Sequence, residues 1–132
     1  MIYKIITGKS FEEVLKTFEN VAKEKGFGTL KVYNFTEILK EKGFPIDKKI
    51  AVFEICNPKF AQQVLSSNSE VSMFLPCKVS LIHENGETSL SILEPQEILV
   101  LLKADGLRTL FEEVDGLLKE ILNQFKTKEA VS

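Results

Sequence analysis

One stretch, Ala51 to His83, restricts the folding options of this chain more than any other, and it holds both cysteines: AVFEICNPKFAQQVLSSNSEVSMFLPCKVSLIH. A β-branched, apolar strand (Ile50 to Cys56) runs directly into Cys56-Asn57-Pro58. Asn57 suits a helix N-cap, and Pro58 suits the first helical position, where a missing amide costs nothing. Phe60, Ala61, Val64 and Leu65 make the apolar side of the short helix that follows. Leu75-Pro76-Cys77 then opens a second strand, Lys78 to Glu84. If the two strands are antiparallel neighbours, the end of the first lies beside the start of the second. Cys56 and Cys77, 21 positions apart, then reach the same edge of one sheet.

The flanking elements fit around this pair. Ile2 to Thr7 reads as a first strand. Ser10-Phe11-Glu12-Glu13 has the spacing of a capping box, and Phe11, Val14, Leu15, Phe18, Val21 and Ala22 form a helical stripe behind it. Lys23 and Lys25 oppose the negative end of that helix, and Gly26 supplies a left-handed cap. Thr29 to Phe35 alternates as a strand, and Thr36 to Lys42 is a turn or two of helix ended by Gly43 and Pro45. Asn85-Gly86 predicts a type I′ turn into a strand from Glu87 to Leu93. Pro95 opens a short helix through Leu102. From Asp105 or Gly106 the longest helix carries Leu107, Leu110, Phe111, Val114, Leu117, Leu118, Ile121, Leu122 and Phe125 in register.

The order is β-α-β-(α)-β-α-β-β-α: an α+β fold with a single antiparallel sheet of about five strands and helices on one face. Strand parity sends Phe53, Ile55, Val79, Leu81, Leu90, Ile92, Leu30 and Val32 toward the helices. Lys31, Tyr33, Glu54, Lys78, Ser80, Ile82, Ser89, Ser91 and Leu93 take the other face. That face is mixed rather than fully polar, which points to self-association as a homodimer.

Composition excludes several classes. A chain of 132 residues makes one domain, with a core over 1–125 and a polar tail from 126 to 132. The net charge of −2, with both signs interspersed, leaves no basic stripe for nucleic acid. The longest apolar run, Ile98 to Leu102, is too short for a bilayer, and the first residues read as a strand rather than a signal peptide. Two cysteines in an otherwise ordinary chain indicate a cytoplasmic protein with reduced thiols.

Three pieces together, Glu24-Lys25-Gly26-Phe27-Gly28, Cys56-Asn57-Pro58-Lys59-Phe60-Ala61 and Leu75-Pro76-Cys77-Lys78-Val79, resemble the family catalogued as domain of unknown function 302. The likeness runs from the first strand through Ser91-Ile92-Leu93-Glu94-Pro95. It implies a small α+β domain like one repeat of the TATA-binding-protein fold, and a tendency to form homodimers. It implies no established activity, and likeness of fold gives no ground for DNA binding.

The candidate site consists of Cys56, Asn57, Pro58, Pro76 and Cys77. A helix N-terminus beside Cys56 would favour a thiolate. Three readings stay open: structural thiols packed as small hydrophobes, a redox or ligand-contacting pair, and metal ligands. Zinc needs more ligands than one chain offers here. His83, the only histidine, lies on the same strand as Cys77 but roughly 20 Å from it, and reads as a solvated strand-end residue. A metal site would require thiols from both subunits of a dimer. Glu54 reads as an exposed strand carboxylate, and Ser66, Ser67 and Ser69 lack a nearby histidine for a hydrolytic triad. The identity of any cofactor or small-molecule ligand is open. Parity adds one condition. Cys77 shares the parity of Val79, and Cys56 that of Glu54, so a bulge or early strand end at Cys56-Asn57 is needed for both thiols to share a face.

Overall fold

Strands β1 (Ile2–Thr7), β2 (Gly28–Asn34), β3 (Lys49–Cys56), β4 (Cys77–Glu84) and β5 (Glu87–Leu93) form one antiparallel sheet in the order β1-β5-β4-β3-β2. This is a computed structural model, and it describes residues 1–127. The end of the polar tail lies outside the described residues. Helices α1 (Phe11–Glu24), α2 (Phe35–Glu41), α3 (Pro58–Ser67), α4 (Gln96–Leu102) and α5 (Arg108–Asn123) connect or follow the strands. The α+β architecture, with helices packed on the sheet, is the one expected from the residue pattern.

The chain's own capping residues set the element ends. The Ser10 hydroxyl accepts from the Glu13 amide at 3.1 Å. The reciprocal half of the expected capping box is absent, because the Glu13 carboxylate takes Lys9 Nζ at 3.0 Å instead. At the other end of α1, Gly26 (φ +86°) donates to the Lys23 carbonyl and Phe27 to that of Ala22. This is the paired bonding of a Schellman motif, and its apolar partners Phe27 and Ala22 are both fully buried. Asn85 and Gly86 take φ of +51° and +74°, the geometry of a type I′ turn.

The core is layered around Phe18. Its ring stacks on Phe53 of β3 at 4.1 Å and on Phe125, just beyond α5, at 5.9 Å. Phe111, Val114, Leu118, Ile121 and Leu122 bury the inner face of α5. Each large side chain withdrawn from water in this way contributes about 1.5–3 kcal/mol. The outer flank of α5 is pinned by polar contacts. Tyr3 donates to Asn123 at 2.7 Å, and Lys119 reaches Glu94 at 2.7 Å and Asp115 at 2.9 Å. The Glu94 and Asp115 carboxylates hold the Lys119 ammonium above its ordinary pKa.

Two expectations need correction. Leu30 and Val32 do not enter the core; they are 64% and 40% exposed. The register of β2 shifts between Thr29 and Lys31, so Leu30 is the extra residue of a bulge. Val32 pairs with Phe53 and shares its side of the sheet, but β2 is an edge strand that the helices cover only in part. The second correction concerns Ser69–Phe74, which forms a 3-10 helix that buries Val71 where the residue pattern predicts no element.

The Gly26 and Asn57 corners are expected to carry measurable stability. Gly26→Ala places a Cβ in the left-handed region, which costs about 1–2 kcal/mol. Asn57→Ala removes a cap for about 1 kcal/mol. Urea denaturation checks both; an unchanged midpoint in Gly26→Ala would mean that the left-handed cap is not retained in solution.

Candidate functional site

Register places the two cysteines. In the β3–β4 ladder Ile55 stands opposite Cys77, and in the β2–β3 ladder Cys56 stands opposite Gly28. Both thiols therefore lie at the same end of the sheet. The alternation of β3 continues to its last residue, with Ile55 buried and Cys56 half-buried, and no register shift occurs at Cys56-Asn57. Cys77 consequently belongs to the helix side and Cys56 to the open side. Both are free and partly buried.

Cys56-Asn57-Pro58 is built into a structural corner. The Asn57 carboxamide oxygen accepts from the Phe60 amide at 3.1 Å, and Pro58 occupies the first turn of α3. A Cβ at Gly26 would meet Asn57 Nδ2 at 3.4 Å. The Gly26-Phe27-Gly28 segment thus packs against Asn57 on one side and pairs with Cys56 on the other. Two of the three distinctive sequence pieces are therefore two halves of one joint between α1, β2, β3 and α3.

The third piece lines a pocket. Leu75, Pro76, Cys77 and Lys78 form its wall at and just before the start of β4, where the Leu75-Pro76 bond is cis. Phe60 of α3, Met73 and Phe74 of the 3-10 helix, Leu93 and Pro95 at the end of β5, Ile98 of α4, and Phe111 and Leu118 of α5 complete it. Its volume is about 220 Å³. Cys56, Asn57 and Pro58 are not among its lining residues. Of the five candidate residues, then, Pro76 and Cys77 meet in the pocket while the other three secure the neighbouring corner. Sequence reasoning missed Phe74, Ile98, Phe111 and Lys78, because the pocket is assembled from six separate elements.

The chemistry of Cys77 follows from its surroundings. Burial among apolar groups, with a smaller effect from the nearby Cys56 thiol, pushes its pKa from 9.0 up to about 11. A thiol held in its neutral form near neutral pH is a poor nucleophile and a poor metal ligand. No group of three or more His, Cys, Asp or Glu side chains among the described residues is placed to hold a metal ion. His83 sits at the far end of β4, half-buried rather than freely solvated, with Nδ1 2.7 Å from Thr88 Oγ1. Glu54 is half-buried too, and accepts from the Tyr33 hydroxyl at 2.9 Å. The carboxylate raises the Tyr33 pKa.

A five-stranded antiparallel sheet joined to a heavy C-terminal helix, with a Gly-Phe-Gly/Cys-Asn-Pro corner and a Leu-Pro-Cys strand start, defines a class of small α+β domain. Residues 3–125 match the family described as Domain of unknown function DUF302, and the chain belongs to that family. It is also similar to a solved structure, the crystal structure of an uncharacterized conserved DUF302 protein from Bacillus stearothermophilus. The two share 29% sequence identity with a TM-score of 0.90, over 95% of this chain and 98% of the other. No curated protein matches the chain. Among the described residues, no helix is long and apolar enough to cross a membrane.

The sign of the Cys77 effect on stability is fixed. As pH rises past 9.0 the unfolded thiol ionises first, while the folded one keeps its proton to about 11, so stability falls across that window. Urea midpoints over the same range should show a smaller alkaline loss in Cys77→Ala than in the parent. Equal losses in the two proteins would mean that the thiol is solvated.

Proposed function

We propose that this chain is a cytoplasmic, non-enzymatic module that works as a homodimer and holds a small apolar ligand in the pocket formed around Pro76 and Cys77. The pocket carries the reading. Phe60, Phe74, Ile98, Phe111 and Leu118 surround about 220 Å³ of space, below the roughly 300 Å³ at which drug-sized sites begin. Its rim residues Met73 and Leu93 are 65% and 58% exposed, so the apolar lining continues to the surface. Cys77 contributes a neutral, polarisable contact there rather than a nucleophile. Cys56, Asn57 and Pro58 hold the adjoining strand end in place.

The dimer rests on the open face of the sheet. Ile6, Ser89, Ile82 and Ile50 lie in one cross-strand row, and Ser80 pairs with Val52 in the next. Three half-buried isoleucines around one buried serine make a largely apolar row, the composition expected of an interface.

Both parts can be read with one set of proteins. The neutral dye N-phenyl-1-naphthylamine should gain fluorescence with the parent protein and lose that gain with Ile98→Trp, which fills the pocket. Ile82→Lys should retain dye binding while light scattering shows it as a monomer and the parent as a dimer. Undiminished dye binding by a folded Ile98→Trp would place the ligand elsewhere. A monomeric parent would remove the dimer.

A further inference from the structure

From the distribution of charge along the open face of the sheet we infer how two copies of the chain meet. They pack face to face about a two-fold axis that crosses the strands, so that Glu84 of each copy lies against Lys78 of the other. This rests on the homodimer proposed above and adds the symmetry that joins it.

Ladder pairing divides the open face into four cross-strand rows. At the hairpin end Glu84 stands opposite Glu87, and Lys48 reaches Glu84 at 3.1 Å. That row carries two anions and one cation, and Glu87 forms no ion pair among the described residues. The isoleucine row comes next, followed by the row of Lys4, Ser91, Ser80, Val52 and Tyr33. At the far end, Lys31–Glu54–Lys78 carries two cations and one anion. One end of the face is therefore net acidic and the other net basic, and Lys4 adds to the basic half.

A two-fold pair buries the same patch on both copies. Packed sheets keep their strands roughly aligned, so the axis runs either along the strands or across them. An axis along the strands would lay acidic row on acidic row and basic row on basic row. An axis across the strands turns one copy end for end and brings each acidic row onto a basic one. Shape selects the same operator. With the axis midway between the two central rows, each isoleucine row lies over the serine-bearing row of the other copy, large side chains on small ones. Each strand then overlies its own counterpart in reverse, so in β4 Ile82 faces Ser80 and Glu84 faces Lys78. The other axis would set isoleucine on isoleucine and leave the half-buried Ser80 and Ser91 facing small residues across a gap.

Analytical ultracentrifugation of the full chain tests this. Glu84→Lys and Lys78→Glu each turn two attractive contacts per dimer into repulsive ones, and each should raise the dimer dissociation constant about tenfold or more. The double variant Glu84→Lys/Lys78→Glu restores both contacts with the signs exchanged, and should return to within about threefold of the parent. Within one chain these side chains are six residues apart on β4, roughly 20 Å at about 3.3 Å per residue. Recovery in the double variant therefore reports a contact between copies. Single variants that dimerise as tightly as the parent, or a double variant as weak as the singles, overturn the axis and leave the dimer standing. A monomeric parent overturns the dimer itself.

Discussion

The burial of the α5 stripe is the interaction on which the rest of the molecule depends. A helix carrying Phe111, Val114, Leu118, Ile121 and Leu122 on one side has to cover an apolar surface, and the inner face of the sheet is the one available. The Phe125–Phe18–Phe53 stack fixes one end of that contact, joining the chain's C-terminal helix to α1 and to a central strand. The Lys119 contacts to Glu94 and Asp115 fix how the helix lies along the sheet margin. Once α5 is set, Phe111 and Leu118 have little freedom. They form one wall of the pocket because α3 and α4 pack on the same helix, and the 3-10 helix on α3 and α4, without filling the space between them.

The distinctive sequence pieces divide between two tasks. Gly26 must adopt positive φ to end α1, and this turn brings Gly28 opposite Cys56 and sets Asn57 beside Gly26. That joint determines where β3 stops and α3 starts. Pro76-Cys77-Lys78 starts the next strand and gives the pocket its thiol. The two cysteines thus occur at one end of the sheet for different reasons: Cys56 belongs to the joint, Cys77 to the cavity. Their shared location follows from antiparallel pairing and requires no shared chemistry.

Local rules made most of the architecture legible. Asn85-Gly86, the Ser10 and Asn57 caps, the Gly26 terminator and the α5 periodicity are each determined by nearby residues, and each was readable from the chain. Strand alternation also placed the two cysteines on opposite parities. Tertiary features escaped the same rules. Leu30 and Val32 look like core residues by alternation, but a bulge and an uncovered edge strand expose them. Ser69–Phe74 has no helical stripe, so its order comes from packing rather than propensity. Cys77 reads as one more strand residue, and only the closing of five elements around the start of β4 makes it part of a cavity wall.

Methyl NMR of isoleucine- and leucine-labelled protein titrated with a small neutral hydrocarbon such as cyclohexane tests the central claim most directly, because it reports where an apolar ligand rests. Shifts concentrated at Leu75, Leu93, Ile98 and Leu118, with Ile6, Ile50 and Ile82 unmoved, are the predicted result. Shifts concentrated on the open-face isoleucines, with the pocket methyls unperturbed, would contradict it.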